Sequence, residues 1–256
     1  MIPWFSFTTI QLGPVIIQVW GLFVALGIIL AVWLAAKRAK AQGLDPKAIW
    51  DMAFWVVLWG IIGARLFHVA LYDPAHYIAA PLEIIDLRQP GYAILGGFLG
   101  GAAAFFVMAR RRGLDFLAYA DTVAWGIPWG CGVGRIGCFF IHDHPGTLTS
   151  FIGGVQFPDG QVRHDLGLYL SILGFFMGVL FVLIGRTKQK TGTYLGLFLF
   201  IYGIARFLLD FLRIIDHRIV GLTPTQWTMF LFVVLGISLL MPRAIVAVVP
   251  FFGRRR

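Results

Sequence analysis

The sequence predicts an all-α, polytopic membrane protein, and three observations carry that prediction. Of 256 residues, 59% are hydrophobic and only 13% charged, against about 25% charged in an ordinary globular protein. Apolar stretches of the roughly 20 residues that a helix needs to cross a bilayer recur along the whole chain, broken by short clusters of Lys, Arg, Pro and Gly. The basic clusters fall after alternate stretches, which is the pattern of loops on one side of a membrane.

Read in order, the spans lie near 15–36, 50–72, 91–109, 118–141, 166–185, 192–213 and 225–241. All seven belong to one integral membrane domain over residues 1–256, with connections too short to fold alone. Residues 1–13 offer no basic residue ahead of the first apolar run and no small-residue cleavage site, so the first helix is expected to stay. Lys37, Arg38, Lys40 and Lys47 follow span one, Arg110 to Arg112 follow span three, Arg186, Lys188 and Lys190 follow span five, and Arg243 and Arg254 to Arg256 follow span seven. Basic loops mark the cytoplasmic face, which puts the N-terminus outside and the C-terminus inside. This placement accounts for the net charge of +9 without nucleic acid as a partner. Cys131 and Cys138 lie seven positions apart on one predicted helix, about 10 Å along its axis, too far for a disulfide.

Arg65, Arg135 and Arg206 stand within or at the outer ends of apolar spans, where a charge costs at least ~2.5 kcal/mol. Snorkelling to headgroups or pairing with an acid would offset that; so would an anionic ligand. In "YLGLFLFIYGIARFLLDFLR", Tyr202, Arg206, Asp210 and Arg213 recur at intervals of four, four and three, which puts them on one helical face. Asp210 can neutralise either arginine, leaving a surplus cation and a phenol directed inward. That suits a phosphate, given the fork geometry of guanidinium; an internal salt bridge beside a packed tyrosine is the plainer alternative.

Span four ends "WGCGVGRIGCFFIHDHPG", with glycines at 126, 130, 132, 134 and 137 around Arg135. Such a density signals close helix packing. The run that follows adds Cys138, His142, Asp143 and His144. On a continuous helix Cys138 and His142 share a face, where an imidazole lowers a thiol's pKa. His142 and His144 could instead ligate a metal with Asp143, but no further spaced ligand set accompanies them, and no metal or cofactor is called for. A polar loop at the outer interface is the third reading, since Pro145 and Gly146 stop the helix. Span three opens "GYAILGGFLGG", in which Gly96 with Gly100 and Gly97 with Gly101 form small-xxx-small pairs. The loop before span five holds "VRHDLGLY", with Arg163, His164, Asp165 and Tyr169.

Together these segments resemble the prolipoprotein diacylglyceryl transferase family, from about Trp20 to Trp227. The matching pieces keep the family's order: the glycine-rich start of span three, Gly134-Arg135-Ile136-Gly137, Arg163-His164 with Leu168-Tyr169, Tyr202-Gly203 through Arg213, and "GLTPTQW" from Gly221. The resemblance implies a multi-pass enzyme of the bacterial cytoplasmic (inner) membrane. It would transfer the diacylglyceryl group of phosphatidylglycerol to the lipobox cysteine of a prolipoprotein, releasing glycerol phosphate. Its partners would be that lipid, the prolipoprotein and surrounding membrane lipids. The catalytic candidates are then Arg135, Arg206, Cys138, His142, Asp143 and His144. The candidates for holding substrate are Arg65, Gly96, Gly97, Gly137, His164, Tyr202, Asp210 and Arg213.

The chain departs from the family pattern near the chemistry. Leu95 stands where the family has a histidine, Cys138 where it has an asparagine, and Ile141-His142-Asp143 where it has Asn-Gly-Glu. Trp20 replaces a tyrosine, Leu170 a glutamate, and Asp210 a longer glutamate. His142 or His144, oriented by Asp143, could take over the proton of the acceptor thiol; alternatively Cys138 could carry the lipid group covalently. A divergent relative acting on another acceptor, a lipid-binding protein without turnover, and a Cys/His hydrolase are the competing classes.

Overall fold

The computed structural model describes residues 1–72, 74–86, 91–214, 218 and 220–241. It opens on a hairpin, β1 (Thr9–Leu12) against β2 (Val15–Gln18), turned at Gly13, whose φ of +61° suits glycine. The β-branched Val15, Ile16 and Ile17 thus extend a strand, and the first long helix starts at Val19, later than residue 15. That helix is α1 (Val19–Ala41). It is followed by α2 (Pro46–Leu71), whose first turn has Asp45 accepting from the Lys47 amide and Pro46 where no amide is needed. A short α3 (Pro74–Ala79) and a 3₁₀ turn (Pro81–Ile84) precede α4 (Ile94–Arg111).

Asp115 caps α5 (Phe116–Ile141) through the Ala118 amide. Between α5 and α6, β3 (Pro145–Leu148), β4 (Val155–Gln156) and β5 (Val162–Asp165) form an antiparallel sheet in the order β3-β5-β4. Asp165 then caps α6 (Leu166–Ile184). Next come α7 (Thr193–Leu209), which tightens into a 3₁₀ turn (Asp210–Leu212), and α8 (Pro224–Leu240), started by a capping box of Thr223 and Gln226.

The chain is mostly helical, and helices occupy all seven of the apolar stretches. The two small sheets amend the all-α expectation: the loop after α5 pairs its backbone groups in strands. Four helical stretches, Val19–Ala41, Pro46–Leu71, Leu166–Ile184 and Thr193–Leu212, are long and apolar enough to cross a membrane, and α8 is a shorter apolar helix. Large apolar side chains face outward (Trp33, Phe54, Trp59, Phe176, Leu231), while Arg65, Asp121, Arg206 and Asp210 are buried. This is the distribution a hydrocarbon solvent favours.

Helix α1 lies along α5, α2 along α4, α5 along α6, and α7 along α8. With little hydrophobic drive between helices in lipid, close backbone approach holds them. A Cβ on Gly27 would lie 2.4 Å from the Gly130 carbonyl oxygen, and one on Gly96 would lie 2.3 Å from that of Gly63. At one end of the bundle, Arg112 pairs with Asp51 at 2.7 Å, Thr122 donates to Gln42 at 2.6 Å, and Asp121 accepts from the Leu195 amide at 2.9 Å. The basic residues from Lys37 to Lys47, Arg110 to Arg112 and Arg186 to Lys190 gather at that end. Arg243 and Arg254 to Arg256 lie outside the described residues. At the other end Ile2 bonds to Gly154 and Gln156, Phe7 bonds to Phe140, and Gly146 bridges to Arg213.

Gly96→Val should force α2 from α4 and cost about 1–3 kcal/mol by overpacking, seen as a lower unfolding temperature in detergent. Gly113→Ala, where nothing lies within 4 Å and only a φ of +64° objects, should cost about 1 kcal/mol.

Candidate functional site

Arg135 and Cys138, three apart on α5, face the same way, and the Arg135 guanidinium reaches the Cys138 sulfur at 3.7 Å. Helix α5 stops at Ile141 because His142 adopts a left-handed conformation with φ 50° and ψ 42°, uncommon for a residue with a Cβ. Had the helix continued, Asp143 and His144 would point about 140° and 240° away from Cys138. The break turns them back over the last turn instead. Cys138 Sγ, an Asp143 carboxylate oxygen and a His144 ring nitrogen lie within 4.8 Å of one another. Asp143 Oδ1 contacts His144 Nδ1, and Trp20 lines the same cavity as Cys138.

These groups form one end of a cavity of about 630 Å³ between α1, α2 and α5. Its walls are apolar, including Val24, Ile28, Met52, Val56 and Ile127, and Arg135, Cys138, Asp143, His144 and Tyr92 supply its polar lining. A second apolar groove of about 380 Å³ shares Ile28, Val32, Ala53 and Val57 with it. The volume falls within the range of small-molecule sites.

On α7, Tyr202 and Arg206 are buried within electrostatic reach of Arg135. Guanidinium groups from α5 and α7 therefore converge, but with different charge states around them. Arg206 Nη1 lies 2.7 Å from Asp210 Oδ1 and Arg213 Nη1 3.9 Å from the same oxygen, while Asp210 also accepts from the Thr223 hydroxyl. Arg135 lines the cavity; Arg206, Asp210 and Arg213 stand behind it.

His142 departs from its expected place beside Cys138. Its side chain is wholly buried among Trp4, Phe5, Phe139 and Phe157, and Nδ1 lies 2.7 Å from Asp165 Oδ2. The left-handed turn swings it off the α5 face, so the thiol's neighbouring histidine is His144 and the acid oriented toward His142 is Asp165. Arg65 also lies apart from the cavity lining: it donates to the carbonyls of Glu83 at 2.6 Å, Ile84 at 3.1 Å and Gly91 at 3.1 Å, stapling the segment that carries Tyr92. Gly96 and Gly97 pack on α2, and Gly137 on Phe23 and Trp20 of α1. What the structure gives them is close helix approach. His164 Nδ1 pairs with the Tyr169 hydroxyl at 2.7 Å at the sheet end, and burial pushes His164 below the ordinary histidine range. Asp165 and Tyr92 were not among the expected site residues. An Asp before an apolar run is an N-cap signal, whereas nothing in sequence marks Tyr92.

Such a bundle, with a largely apolar cavity whose polar lining includes an arginine and a thiol, belongs to the class of helical membrane proteins with an internal site. A family model described as prolipoprotein diacylglyceryl transferase matches residues 8–242. Curated relatives named phosphatidylglycerol–prolipoprotein diacylglyceryl transferase come from Nitrosomonas europaea (34% identical, over 93% of this chain and 90% of the relative) and Cupriavidus metallidurans (34%, over 91% and 92%). A third is from Chromohalobacter salexigens (31%, over 96% and 91%). The chain belongs to the prolipoprotein diacylglyceryl transferase family and is a multi-pass membrane protein.

His142→Ala strands the buried Asp165 carboxylate and should destabilise the fold by about 1–3 kcal/mol, read as a lower unfolding temperature. For His164 the folded state favours the neutral ring. Its contribution is therefore complete above the ordinary histidine value of about 6.5 and is lost as pH falls from there through the lower folded-state value. Amide protection over residues 162–169, with exchange corrected for its intrinsic pH dependence, should be weaker at pH 5.5 than at pH 7.5, about one unit either side of the ordinary histidine pKa, and His164→Gln should shrink the difference.

Proposed function

We propose that this chain transfers the diacylglyceryl group of phosphatidylglycerol to the lipobox cysteine thiol of a prolipoprotein, releasing glycerol phosphate, in the bacterial inner membrane. The observation that carries this is the cavity that joins apolar walls to a polar end holding Arg135, Cys138, Asp143 and His144. Family membership and the curated relatives' names support the same reaction. We further propose a single membrane domain of seven spans with the N-terminus outside. The basic residues gathered at one end of the bundle support that orientation, and it puts the polar end of the cavity toward the outer leaflet.

In this reading the acyl chains lie along the apolar walls and the phosphate meets Arg135. The acceptor sulfur attacks the sp³ glyceryl carbon; the C–S bond forms as the C–O bond to phosphate breaks, and the oxygen keeps the electron pair. Charge grows on the departing phosphate, so a fixed guanidinium at that point favours the transition state over the ground state. Arg206 stands behind Arg135 beside Tyr202, its charge offset by Asp210. The acceptor's side of the reaction falls to the groups next to Arg135, namely Asp143 and His144. Cys138 is unsuited to carry the lipid covalently, because a thioether once formed has no good leaving group for a second displacement.

The test is a purified protein supplied with phosphatidylglycerol vesicles and a lipobox peptide, with glycerol phosphate and peptide mass as readouts. Peptide-dependent release is expected. Arg135→Ala should lower turnover by about 10²-fold or more, and Arg135→Lys should recover only part of it because the fork geometry is lost. Full activity in Arg135→Ala would remove the proposal.

A further inference from the structure

We propose that Cys138, Asp143 and His144 bind a zinc ion whose open coordination position takes the acceptor thiol; this rests on the transferase reading above. One thiolate, one carboxylate and one imidazole are the ligand types zinc accepts, and three protein ligands with a vacant fourth position is the arrangement of catalytic rather than structural zinc. The sequence pattern alone offers two histidines and an acid. The fold removes His142 to the Asp165 pocket and supplies Cys138 in its place.

The geometry requires little rearrangement. Tetrahedral zinc with Zn–S near 2.3 Å and Zn–N near 2.0 Å holds its donors about 3.2–3.6 Å apart, and the three donor atoms here lie within 4.8 Å of one another. Asp143 and His144 are partly exposed, with side-chain accessibilities of 30% and 24%, so rotamer adjustment can part their mutual contact and bring the more distant donors in by about an ångström. All three side chains line the cavity, so an ion between them borders the space that the lipid and acceptor must share.

Charge bookkeeping explains how a cation can sit beside Arg135. The Cys138 thiolate and the Asp143 carboxylate neutralise a divalent ion. A bound acceptor thiolate then leaves the group at minus one, facing the guanidinium 3.7 Å from Cys138 Sγ. The chemistry also calls for it: the reaction consumes a thiolate, and a zinc-bound thiol is deprotonated. On binding, the acceptor S–H gives its proton to solvent. The metal-held sulfur forms the C–S bond to the glyceryl carbon, the C–O bond breaks, and glycerol phosphate leaves with the electron pair. Zinc is neither oxidised nor reduced.

The experiment uses the full chain in detergent, stripped with a chelator and titrated with Zn²⁺ alone and with Co²⁺ as a spectroscopic stand-in. About one equivalent should bind, and the Co²⁺ form should show a sulfur-to-metal charge-transfer band, as expected for a site with one cysteine ligand. Cys138→Ser should abolish the band, and His144→Ala should weaken binding at least tenfold, in protein whose unfolding curve shows it is folded. Turnover with phosphatidylglycerol and peptide should fall on stripping and return with Zn²⁺. Stripped protein at full turnover, or Co²⁺ binding without a Cys138-dependent band, overturns the zinc site while leaving the transferase reading intact. Zinc bound through Cys138 with no peptide-dependent release at any metal loading overturns the acceptor role and the transferase reading together.

Discussion

The buried contact between His142 and Asp165 is the constraint on which the candidate site depends. A residue with a Cβ occupies the left-handed region at a cost, and here the cost is met by a 2.7 Å bond to a carboxylate and by four aromatic rings packed about the imidazole. The same carboxylate caps α6 through the Leu168 amide at 2.9 Å. One side chain thus joins the end of α5, the last strand of the sheet and the start of α6. Without that join α5 would run on, and Asp143 and His144 would leave the face that carries Arg135 and Cys138.

The cavity follows from how the helices pair. Glycine contacts draw α1 onto α5 and α2 onto α4 at backbone distance. Two helix pairs result, and the gap between them is lined by aliphatic residues together with small residues of the α1–α5 seam, Gly27, Ala31 and Gly130 among them. In lipid such a gap has no aqueous penalty to collapse it, since helix association there depends on packing and not on expulsion of water. An apolar slot open to a polar end is the consequence.

Charge placement then separates two arginines that look alike in sequence. Arg206 stands one turn from Asp210, whose other contacts run to Thr223 and through it to the cap of α8. Its charge is absorbed into the frame. Arg135 has a thiol and a phenol for neighbours and opens on the cavity, so its charge stays available to an anion. Arg65 illustrates a third outcome, in which backbone carbonyls take up a buried guanidinium and the charge becomes a staple for a loop.

The sequence by itself determined the membrane class, the seven helical stretches, the gathering of basic residues at one end and the placing of Arg135 in an apolar span, because apolarity, helical period and the cost of a buried charge are local quantities. It also marked the glycines of α4 and α5 as points of close approach. Only the tertiary structure decided which polar groups meet. The strand start at Val15, the sheet after α5, the partnership of His142 with Asp165 across 23 residues and the grouping of Cys138 with His144 each depend on a turn or a contact between elements. The physical reason is that a single left-handed residue redirects everything after it, and whether that conformation is held is settled by atoms distant in sequence.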